Sequence, residues 1–359
     1  MLVHICCSVD SHYFLQRLRE DFPDERLVGY FYDPNIHPYS EYRLRLLDVE
    51  RSCKKLGVEL IEGPYDVEAW LDAVRGLERE PEKGARCAVC FDRRFEVSAE
   101  AAKQLGEKRF TSTLLTSPKK SIEQLRQSGE AIGARHGVEF VTVDYRVGGG
   151  TQRQQEEAKR AKLYRQDYCG CLYGLTMQRE QQGKLAAELF APVDGRVLPG
   201  SIEERLALYE ERTRLEEAGR GYRIERRKFL NWRLKLGWVK RKKETLPSHI
   251  LPYSTMKRRY TNGKVEWEEN GLYGFNREEI RFLTLARYNE LADTGYDSVK
   301  ALVFGPPPWE VELEVRRKAG LEPWDLSPLV VLEEVPEGKL EVLIEAEEFR
   351  DVRENLVPL

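Results

Sequence analysis

The chain has 359 residues, of which 41% are hydrophobic and 10% aromatic, so it can build a packed core and is not a disordered protein. The formal net charge is −3, although 33% of the residues are charged. No stretch approaches the roughly 18 apolar residues that span a bilayer, and the first residues lack the basic and apolar regions of a signal peptide. We therefore expect no membrane partner and a cytoplasmic protein, whose thiols stay reduced.

The first half of the chain alternates short apolar runs with helical patterns. Strands are predicted at residues 2–6, 27–32, 58–62, 109–114 and 138–144, and helices at 11–20, 41–56, 67–75, 87–105, 121–136 and 152–164. Strands that alternate with helices predict an α/β domain with a parallel sheet covered on both faces. In such sheets ligands bind at the carboxyl ends of the strands, and Cys6-Cys7 follows the first strand.

The second half is predicted to be a smaller α+β region, so we divide the chain into residues 1–183 and 184–359. Helical patterns continue to about residue 236 and include residues 202–216. An Asn-Gly pair predicts a hairpin around residues 261–263, and a second hairpin is predicted from residues 329–335 and 340–346. Residues 305–308, the sequence GPPP, are interpreted as a linker.

The most basic part of the chain lies between residues 220 and 243, with eleven Arg or Lys against one Glu. Tyr222, Phe229, Trp232 and Trp238 are interleaved with these cations. Phosphate contacts and base stacking require this mixture, which predicts that the C-terminal region docks tRNA. The competing interpretation is that the aromatic residues pack on the first domain while the cations stay solvated.

Six of the seven cysteines form three tight pairs, and all of them precede residue 172. The pairs are Cys6-Cys7, Cys87-Ala88-Val89-Cys90 and Cys169-Gly170-Cys171. Disulfide frameworks scatter cysteines through small secreted domains, whereas close pairs in a long chain indicate metal or redox chemistry. A fold that brings the pairs together would supply enough thiolates for an iron–sulfur cluster.

The first two pairs are the natural ligand set of such a cluster, which typically takes four cysteines. The CxxC pair is also compatible with half of a structural zinc site. The third pair has two competing roles. A disulfide across one residue would be strained and easily reduced, which suits a redox relay. Alternatively, the pair binds a second metal, iron or zinc, together with the carboxylate of Asp10.

The remaining cysteine and the histidines give weaker signals. Cys53 falls on the apolar face of a predicted helix and is interpreted as a core residue. His4 lies in a predicted strand and is interpreted as a core histidine, whereas His37, in a loop near the strand ends, is a weaker site candidate.

These blocks together closely resemble the QueH-type epoxyqueuosine reductases over residues 1 to about 183. The matching segments are HICCSVD (4–10), FYDPNIHP (31–38), Glu41-Tyr42 with Arg45, GARCAVCF (84–91), FTSTLLTSP (110–118), DYR (144–146) and YRQDYCGC (164–171). The chain departs from the family pattern at Ser8-Val9, where a small residue and a proline are more usual, and in its long C-terminal extension.

The resemblance implies an adenine-nucleotide alpha-hydrolase-like fold that carries a [4Fe-4S] cluster. It implies reduction of the epoxide of epoxyqueuosine in the tRNA wobble position, the last step of queuosine biosynthesis, with electrons from an unidentified donor. The resemblance implies that Cys6, Cys7, Cys87 and Cys90 ligate the cluster. It also implies that Cys169 and Cys171 form a redox disulfide or bind a metal, and that Asp10 ligates a metal. Candidate contacts to tRNA or substrate are His37, Arg45, Arg86, Arg146, Arg165 and Tyr168.

Three points stay open at this stage. The acid that protonates the leaving oxygen is Asp10, Tyr168 or a metal-bound water. A second function is an ATP-dependent tRNA-modifying enzyme of the same fold, although residues 6–11 offer no glycine for a phosphate loop. A third is a zinc-stabilised RNA-binding protein.

Overall fold

The chain divides into two units that interrupt each other in sequence. In this computed structural model, which describes residues 1–117, 120–190, 196–277, 280–322 and 324–359, unit 1 comprises Met1–Ala186 with Tyr209–Arg220. Unit 2 comprises Ala187–Leu208 with Gly221–Leu359. Pro118, which ends one of the QueH-like segments, lies outside the described residues.

Unit 1 is built on a parallel sheet of five short strands. The strands are β1 (Leu2–Ile5), β2 (Val28–Phe31), β3 (Glu59–Glu62), β4 (Arg109–Ser112) and β5 (Glu139–Phe140). Their order is β3-β2-β1-β4-β5, which makes β1 the central strand. All four residues of β1 and of β2 are buried, as expected for a sheet covered on both faces. The predicted α/β class is confirmed.

Helices connect these strands, follow the last of them and cover the sheet. They are α1 (Ser8–Asp21), α2 (Tyr39–Leu56), α3 (Val67–Ala73), α4 (Ala85–Gln104), α5 (Ile122–His136), α6 (Gly150–Arg160), α7 (Leu172–Gln181) and α8 (Ile202–Glu217). The last helix is divided between the units, because unit 1 begins again at Tyr209.

Two predicted strands of unit 1 are longer than the observed ones. Strand β4 ends at Ser112, because the Ser112 hydroxyl accepts a hydrogen bond from the Leu114 amide and starts the 3-10 turn Thr113–Thr116. Strand β5 is only Glu139–Phe140, where a strand over residues 138–144 was predicted. In both cases the apolar run continues past the backbone pairing.

Unit 2 contains two further sheets. Its strands are β6 (Tyr222–Arg241), β7 (Glu244–Leu246), β8 (Ser248–Ile250), β9 (Tyr260–Gly263), β10 (Val265–Glu269), β11 (Leu272–Phe275), β12 (Ile280–Thr284), β13 (Leu329–Leu332) and β14 (Leu340–Pro358). Its further helices are α9 (Leu285–Ala292), α10 (Val299–Phe304) and α11 (Trp309–Lys318). The sheet orders are β10-β11-β12-β13-β8 and β7-β6-β14-β9. Residues 305–308, the predicted linker, join α10 to α11.

The helical prediction up to residue 236 is wrong beyond α8. Residues from Tyr222 onward form strand β6, which pairs antiparallel with β14 from Tyr222↔Pro358 to Arg241↔Leu340. The pairing is long-range, so the local helical pattern is overridden by a partner more than a hundred residues away.

Both predicted hairpins of the second half are also wrong. Asn262-Gly263 lies in β9, which pairs with β14, whereas β10 belongs to the other sheet. The Asn-Gly turn of this region is Asn270-Gly271, with φ of 50° and 75°, between β10 and β11. Strands β13 and β14 likewise belong to different sheets.

Among the described residues, no helix is both long enough and apolar enough to cross a membrane.

Candidate metal centre

A thiol-lined cavity follows the central strand of unit 1. Its volume is about 230 Å³. Six of the predicted metal or redox residues line it: Cys6, Asp10, Cys87, Cys90, Cys169 and Cys171. Cys6 comes directly after β1, so the cavity lies at the carboxyl end of this strand, where ligands of parallel sheets bind.

Three helix N-termini carry these thiols. Cys7 is the N-cap of α1, Cys87 and Cys90 lie in the first two turns of α4, and Cys171 is the N-cap of α7. The positive end of a helix dipole stabilises thiolates, which are the form that binds metals. Gly170 between the last two thiols has a φ of 102°, which favours glycine.

Cys6, Cys7 and Asp10 form a compact group, with one ligand atom of each within 4.8 Å of the others. The distance from Cys6 Sγ to Asp10 Oδ2 is 3.7 Å, and the Gln154 amide donates to Asp10 Oδ1 at 2.8 Å. A hydrogen bond with Cys6 and burial raise the pKa of Cys7, and burial raises the pKa of Asp10. A bound cation would favour the ionised forms that this environment opposes.

Cys169 and Cys171 differ in their protonation. Both are free thiols in the described chain, and the predicted disulfide between them is absent from this structure. The hydrogen bond from Cys171 lowers the pKa of Cys169 to about 6, and the same bond raises the pKa of Cys171. Cys169 is therefore the more acidic thiol of the pair, and a lower pKa favours the thiolate form that binds metals.

Arg45 holds the Cys169 segment in place. It is 3% exposed, and its guanidinium donates to the carbonyl oxygens of Tyr168 and Cys169 at 3.0 and 3.2 Å. Its Nε donates to Glu41 Oε1 at 2.7 Å, which forms a buried ion pair. The guanidinium is thus committed to positioning this segment, although it also lines the cavity.

Two other predicted substrate contacts, Arg86 and Tyr168, line the cavity as well. Arg86 Nη1 donates to the carbonyls of Leu77, Glu78 and Glu80, and thereby fixes the loop before α4. The Tyr168 hydroxyl donates to the His37 carbonyl at 2.8 Å.

The remaining three candidates do not line the cavity. The His37 amide donates to the Gly170 carbonyl at 2.8 Å, and burial lowers the pKa of the His37 side chain. Arg146 donates to the carbonyls of Ser117 and Lys120. Arg165 donates to Gln155. Their polar groups support loops within unit 1.

Several cavity residues have no counterpart among the sequence predictions. Arg94 lies one helical turn after Cys90, so the spacing of α4 was a usable signal, whereas Trp70 on α3 belongs to no motif. Burial raises the pKa of Cys90, and the Arg94 guanidinium and the Trp70 indole act in the opposite direction. Lys120, whose ammonium lies 4.6 Å from the centre of the Phe91 ring, also lowers the pKa of Cys169.

A buried charge network adjoins the Cys6-Cys7 loop. The Ser8 hydroxyl and the Tyr164 amide both donate to Asp48 Oδ2, the latter at 2.7 Å. Arg212 of α8 donates to Asp48 Oδ1 at 2.6 Å, and both side chains are fully buried. Asp48 therefore connects the residue after Cys7 to the segment that leads to Cys169. No sequence pattern predicts this contact, because Asp48 and Arg212 are far apart in the chain.

The donors around the cavity fit an iron–sulfur cluster or another thiolate-bound metal. Cysteine thiolates are the usual ligands of such clusters, and four cationic side chains, Arg45, Arg86, Arg94 and Lys120, line the same cavity. Among the described residues, buried Asn35 Oδ1 and Arg94 Nε have no hydrogen-bond partner, although both residues line the cavity. The fold and the site thus define a class of protein, an α/β protein with a thiol-lined cavity after its first strand.

Comparisons with known proteins identify the family. The family model described as epoxyqueuosine reductase QueH matches residues 1–177. A relative from Helicobacter pylori named epoxyqueuosine reductase QueH is 40% identical over 96% of this chain and 97% of its own length. One of the same name from Histophilus somni is 37% identical over 53% of this chain and 79% of its own length. The chain belongs to the epoxyqueuosine reductase QueH family.

The two curated relatives differ in what they share with this chain. The similarity to the Helicobacter relative covers nearly the whole chain, and so extends well beyond the predicted limit near residue 183. The Histophilus relative matches only about half of the chain. Long and short forms of the family therefore exist.

Two solved structures are similar to this chain, both with low TM-scores. The predicted subunit of tRNA methyltransferase from Methanocaldococcus jannaschii has a TM-score of 0.33 and 15% identity, covering 53% of this chain and 92% of that one. The U34-tRNA thiolase NcsA from Methanococcus maripaludis with its [4Fe-4S] cluster has a TM-score of 0.34 and 14% identity, covering 60% and 73%. Likeness at this level carries no functional argument.

Proposed function

We propose that this protein is a cytoplasmic epoxyqueuosine reductase, which reduces the epoxide of epoxyqueuosine in the tRNA wobble position to give queuosine. The observation that carries the proposal is the convergence of five thiols and Asp10 on one cavity, in a chain of the epoxyqueuosine reductase family. Thiolates that bind a redox metal, or a thiol pair that cycles with a disulfide, can pass the electrons that a reductive deoxygenation consumes.

Four cysteines are proposed to hold a [4Fe-4S] cluster: Cys6, Cys7, Cys87 and Cys90. When bound, the cluster would supply electrons one at a time. Cys7 does not line the cavity, but its thiol belongs to the compact group with Cys6 and Asp10. We propose that Asp10, Cys169 and Cys171 hold a second metal, iron or zinc, or that the last two cycle between dithiol and disulfide.

The reaction consumes two electrons and two protons, breaks both carbon–oxygen bonds of the epoxide, and yields a carbon–carbon double bond and water. The electrons come from a donor that is not yet identified. Where Asp10 holds the second metal, a water on that metal is the proposed acid; where Cys169 and Cys171 cycle as a dithiol instead, Asp10 is the proposed acid, and burial raises its pKa. The hydroxyl proton of Tyr168 is already committed to the His37 carbonyl.

The two other functions considered for this chain are not favoured. An ATP-dependent enzyme needs glycines whose backbone amides approach phosphates after the first strand, and the sequence CCSVDS at residues 6–11 contains none. A structural zinc site is closed and takes four ligands, whereas five thiols and a carboxylate border this cavity.

The test is metal and sulfide analysis of protein purified without oxygen, followed by reduction of tRNA that carries epoxyqueuosine. We expect about four irons and four sulfides per chain and conversion to queuosine on addition of a chemical reductant. Cys90→Ser should lose the cluster and lower the rate more than about 100-fold, because a ligand is removed.

Cys53→Ala is the matched control for this experiment. Cys53 is 1% exposed in the core of unit 1 and does not line the cavity, so this variant should keep both the cluster and the activity. Zinc without sulfide in the wild-type protein, or full activity in Cys90→Ser, contradicts the proposal.

A further inference from the structure

One face of the four-stranded sheet of unit 2 carries a cross-strand row of apolar side chains. In the register of the sheet, Trp238 of β6 lies opposite Leu343 of β14, which lies opposite Tyr260 of β9. Residues directly opposite one another project from the same face of a sheet. The rings of Trp238 and Tyr260 lie 6.2 Å apart. We call this row, with Leu236, the aromatic face.

The other face of the same strands packs inward. Val239, Leu340, Val342 and Ile344 alternate with the residues of the aromatic face and are at most 1% exposed. By contrast, Tyr260 is 42% exposed and Leu236 is 51% exposed. Because side chains alternate along a strand, the aromatic face is the solvent side of this sheet within unit 2.

Cations without acidic partners accompany the aromatic face. The Lys240 ammonium lies 4.2 Å from the centre of the Trp238 ring. In the described part of the chain, no ion pair or hydrogen bond engages the side chains of five nearby cations: Lys240, Lys242, Lys243, Lys257 and Arg258. This group is therefore available to a polyanion.

The two acidic residues on the face are already engaged. The Tyr260 hydroxyl donates to Glu341 Oε2 at 3.0 Å, and Arg259 Nη1 lies 3.6 Å from Glu345 Oε2. Glu345 is thus paired with a cation and Glu341 accepts a hydrogen bond, whereas the five cations named above have no acidic partner among the described residues. This asymmetry favours an anionic ligand, and the exposed rings favour one that also has flat apolar surfaces.

We infer that the aromatic face docks the tRNA substrate, with unpaired bases stacked on Trp238 and Tyr260 and phosphates held by the neighbouring lysines. Single-stranded nucleic acid is recognised in this way, by aromatic stacking within a positively charged surface. The inference rests on the proposed function and assigns its substrate-docking surface to unit 2, outside the thiol-lined cavity of unit 1.

The test is binding of an unmodified tRNA transcript to the full chain, measured by fluorescence anisotropy at several salt concentrations. Trp238→Ala combined with Tyr260→Ala should weaken binding at least about 10-fold, because each stacked base contributes appreciably. The triple variant of Lys240, Lys242 and Lys243 to Ala should lower the slope of log affinity against log salt by about 1 for each lost phosphate contact.

Trp324→Ala is the matched aromatic control, since Trp324 is 79% exposed but lies outside the strands of this sheet. It should bind tRNA as the wild type does. Trp238→Phe keeps a stacking ring and should retain most of the affinity, which separates stacking from a loss of folding. Circular dichroism checks that the sheet persists in each variant.

The outcomes separate this inference from the proposed function. Unchanged affinity and salt slope in the ring and lysine variants overturn the docking surface, even if the wild type reduces epoxyqueuosine. A change of oligomeric state without a change in tRNA affinity also overturns it, because a second copy of the chain then covers the face. Weakened tRNA binding supports it, even if the wild type fails to reduce the epoxide.

Discussion

The two units of this protein differ in the charges that surround their candidate sites. Unit 1 contains all seven cysteines and buries ion pairs such as Asp48–Arg212 and Glu41–Arg45 beside its thiols. Unit 2 contains no cysteine, and it also buries an ion pair, Arg196–Glu312. Among its described residues, however, the five cations near the aromatic face have no acidic partner. The first unit thus places ion pairs beside its thiols, whereas the second leaves cations unpaired beside its aromatic face.

The largest change in stability is expected for a substitution of Arg212. This residue lies in the C-terminal half of the sequence but inside unit 1. Arg212→Ala leaves the fully buried Asp48 without its closest cation, and should lower the free energy of unfolding of unit 1 by about 3–5 kcal/mol. Hydrogen exchange of the β1 and β4 amides, measured in increasing denaturant, reports on this unit alone.

Arg214→Ala is the control on the same helix. The Arg214 side chain is 70% exposed and pairs with Glu211, so its loss should change stability by less than about 0.5 kcal/mol. Equal stability of the two variants would mean that the buried ion pair does not hold unit 1 together.

A smaller effect is expected where unit 1 orients a proposed metal ligand. Gln154 donates to Asp10 Oδ1 at 2.8 Å and to the Val9 carbonyl at 3.3 Å. Gln154→Ala should therefore weaken metal binding about 10- to 100-fold, as other losses of ligand-orienting residues do. Competition with a chelator measures the change.

Gln155→Ala is the control for this measurement of metal affinity, because Gln155 contacts the exposed Arg165 instead of Asp10. Identical metal affinities of the two glutamine variants would remove Asp10 from the ligand set.

The smallest effect concerns a turn of unit 2. Gly271 has a φ of 75°, and a Cβ there would lie 2.9 Å from Arg287 Cβ. Gly271→Ala should destabilise unit 2 by about 1–2 kcal/mol. Gly295→Ala, where a Cβ meets nothing within 4 Å, should cost less than about 0.5 kcal/mol. Thermal unfolding of both variants, compared with the wild type, decides whether the Asn270-Gly271 turn is as constrained as its geometry indicates.

The sequence was most informative where structure depends on local signals. The strands and helices of unit 1 follow from their apolar periods, and the cysteine pairs are visible as motifs. The Asn-Gly pairs of unit 2 show the limit of predicting structure from local sequence signals. Asn262-Gly263 and Asn270-Gly271 are the same dipeptide, yet only the second forms a turn. The strands with which each segment pairs determine whether it turns, and a local motif does not show those strands.

The same limit applies to the site. Its thiols and Asp10 were predictable, and Arg94 could have been found from its spacing to Cys90. The carbonyls that occupy Arg45 and Arg86, and the Asp48–Arg212 contact, depend on distant segments that meet only in the fold. Residues in family motifs therefore need not touch substrate, since several of them support the loops that carry the thiols.

The division of helix α8 has a consequence for synthesis. Unit 1 is interrupted after Ala186 and completed only by Tyr209–Arg220. A ribosome adds about 5–20 residues per second, so for several seconds the nascent thiol-bearing unit exists without its last segment. During that interval Asp48 has no Arg212 to pair with. A metal that reached the nascent chain in that interval would thus meet an incomplete unit, in which the segment beside the Cys6-Cys7 loop lacks one of its buried contacts.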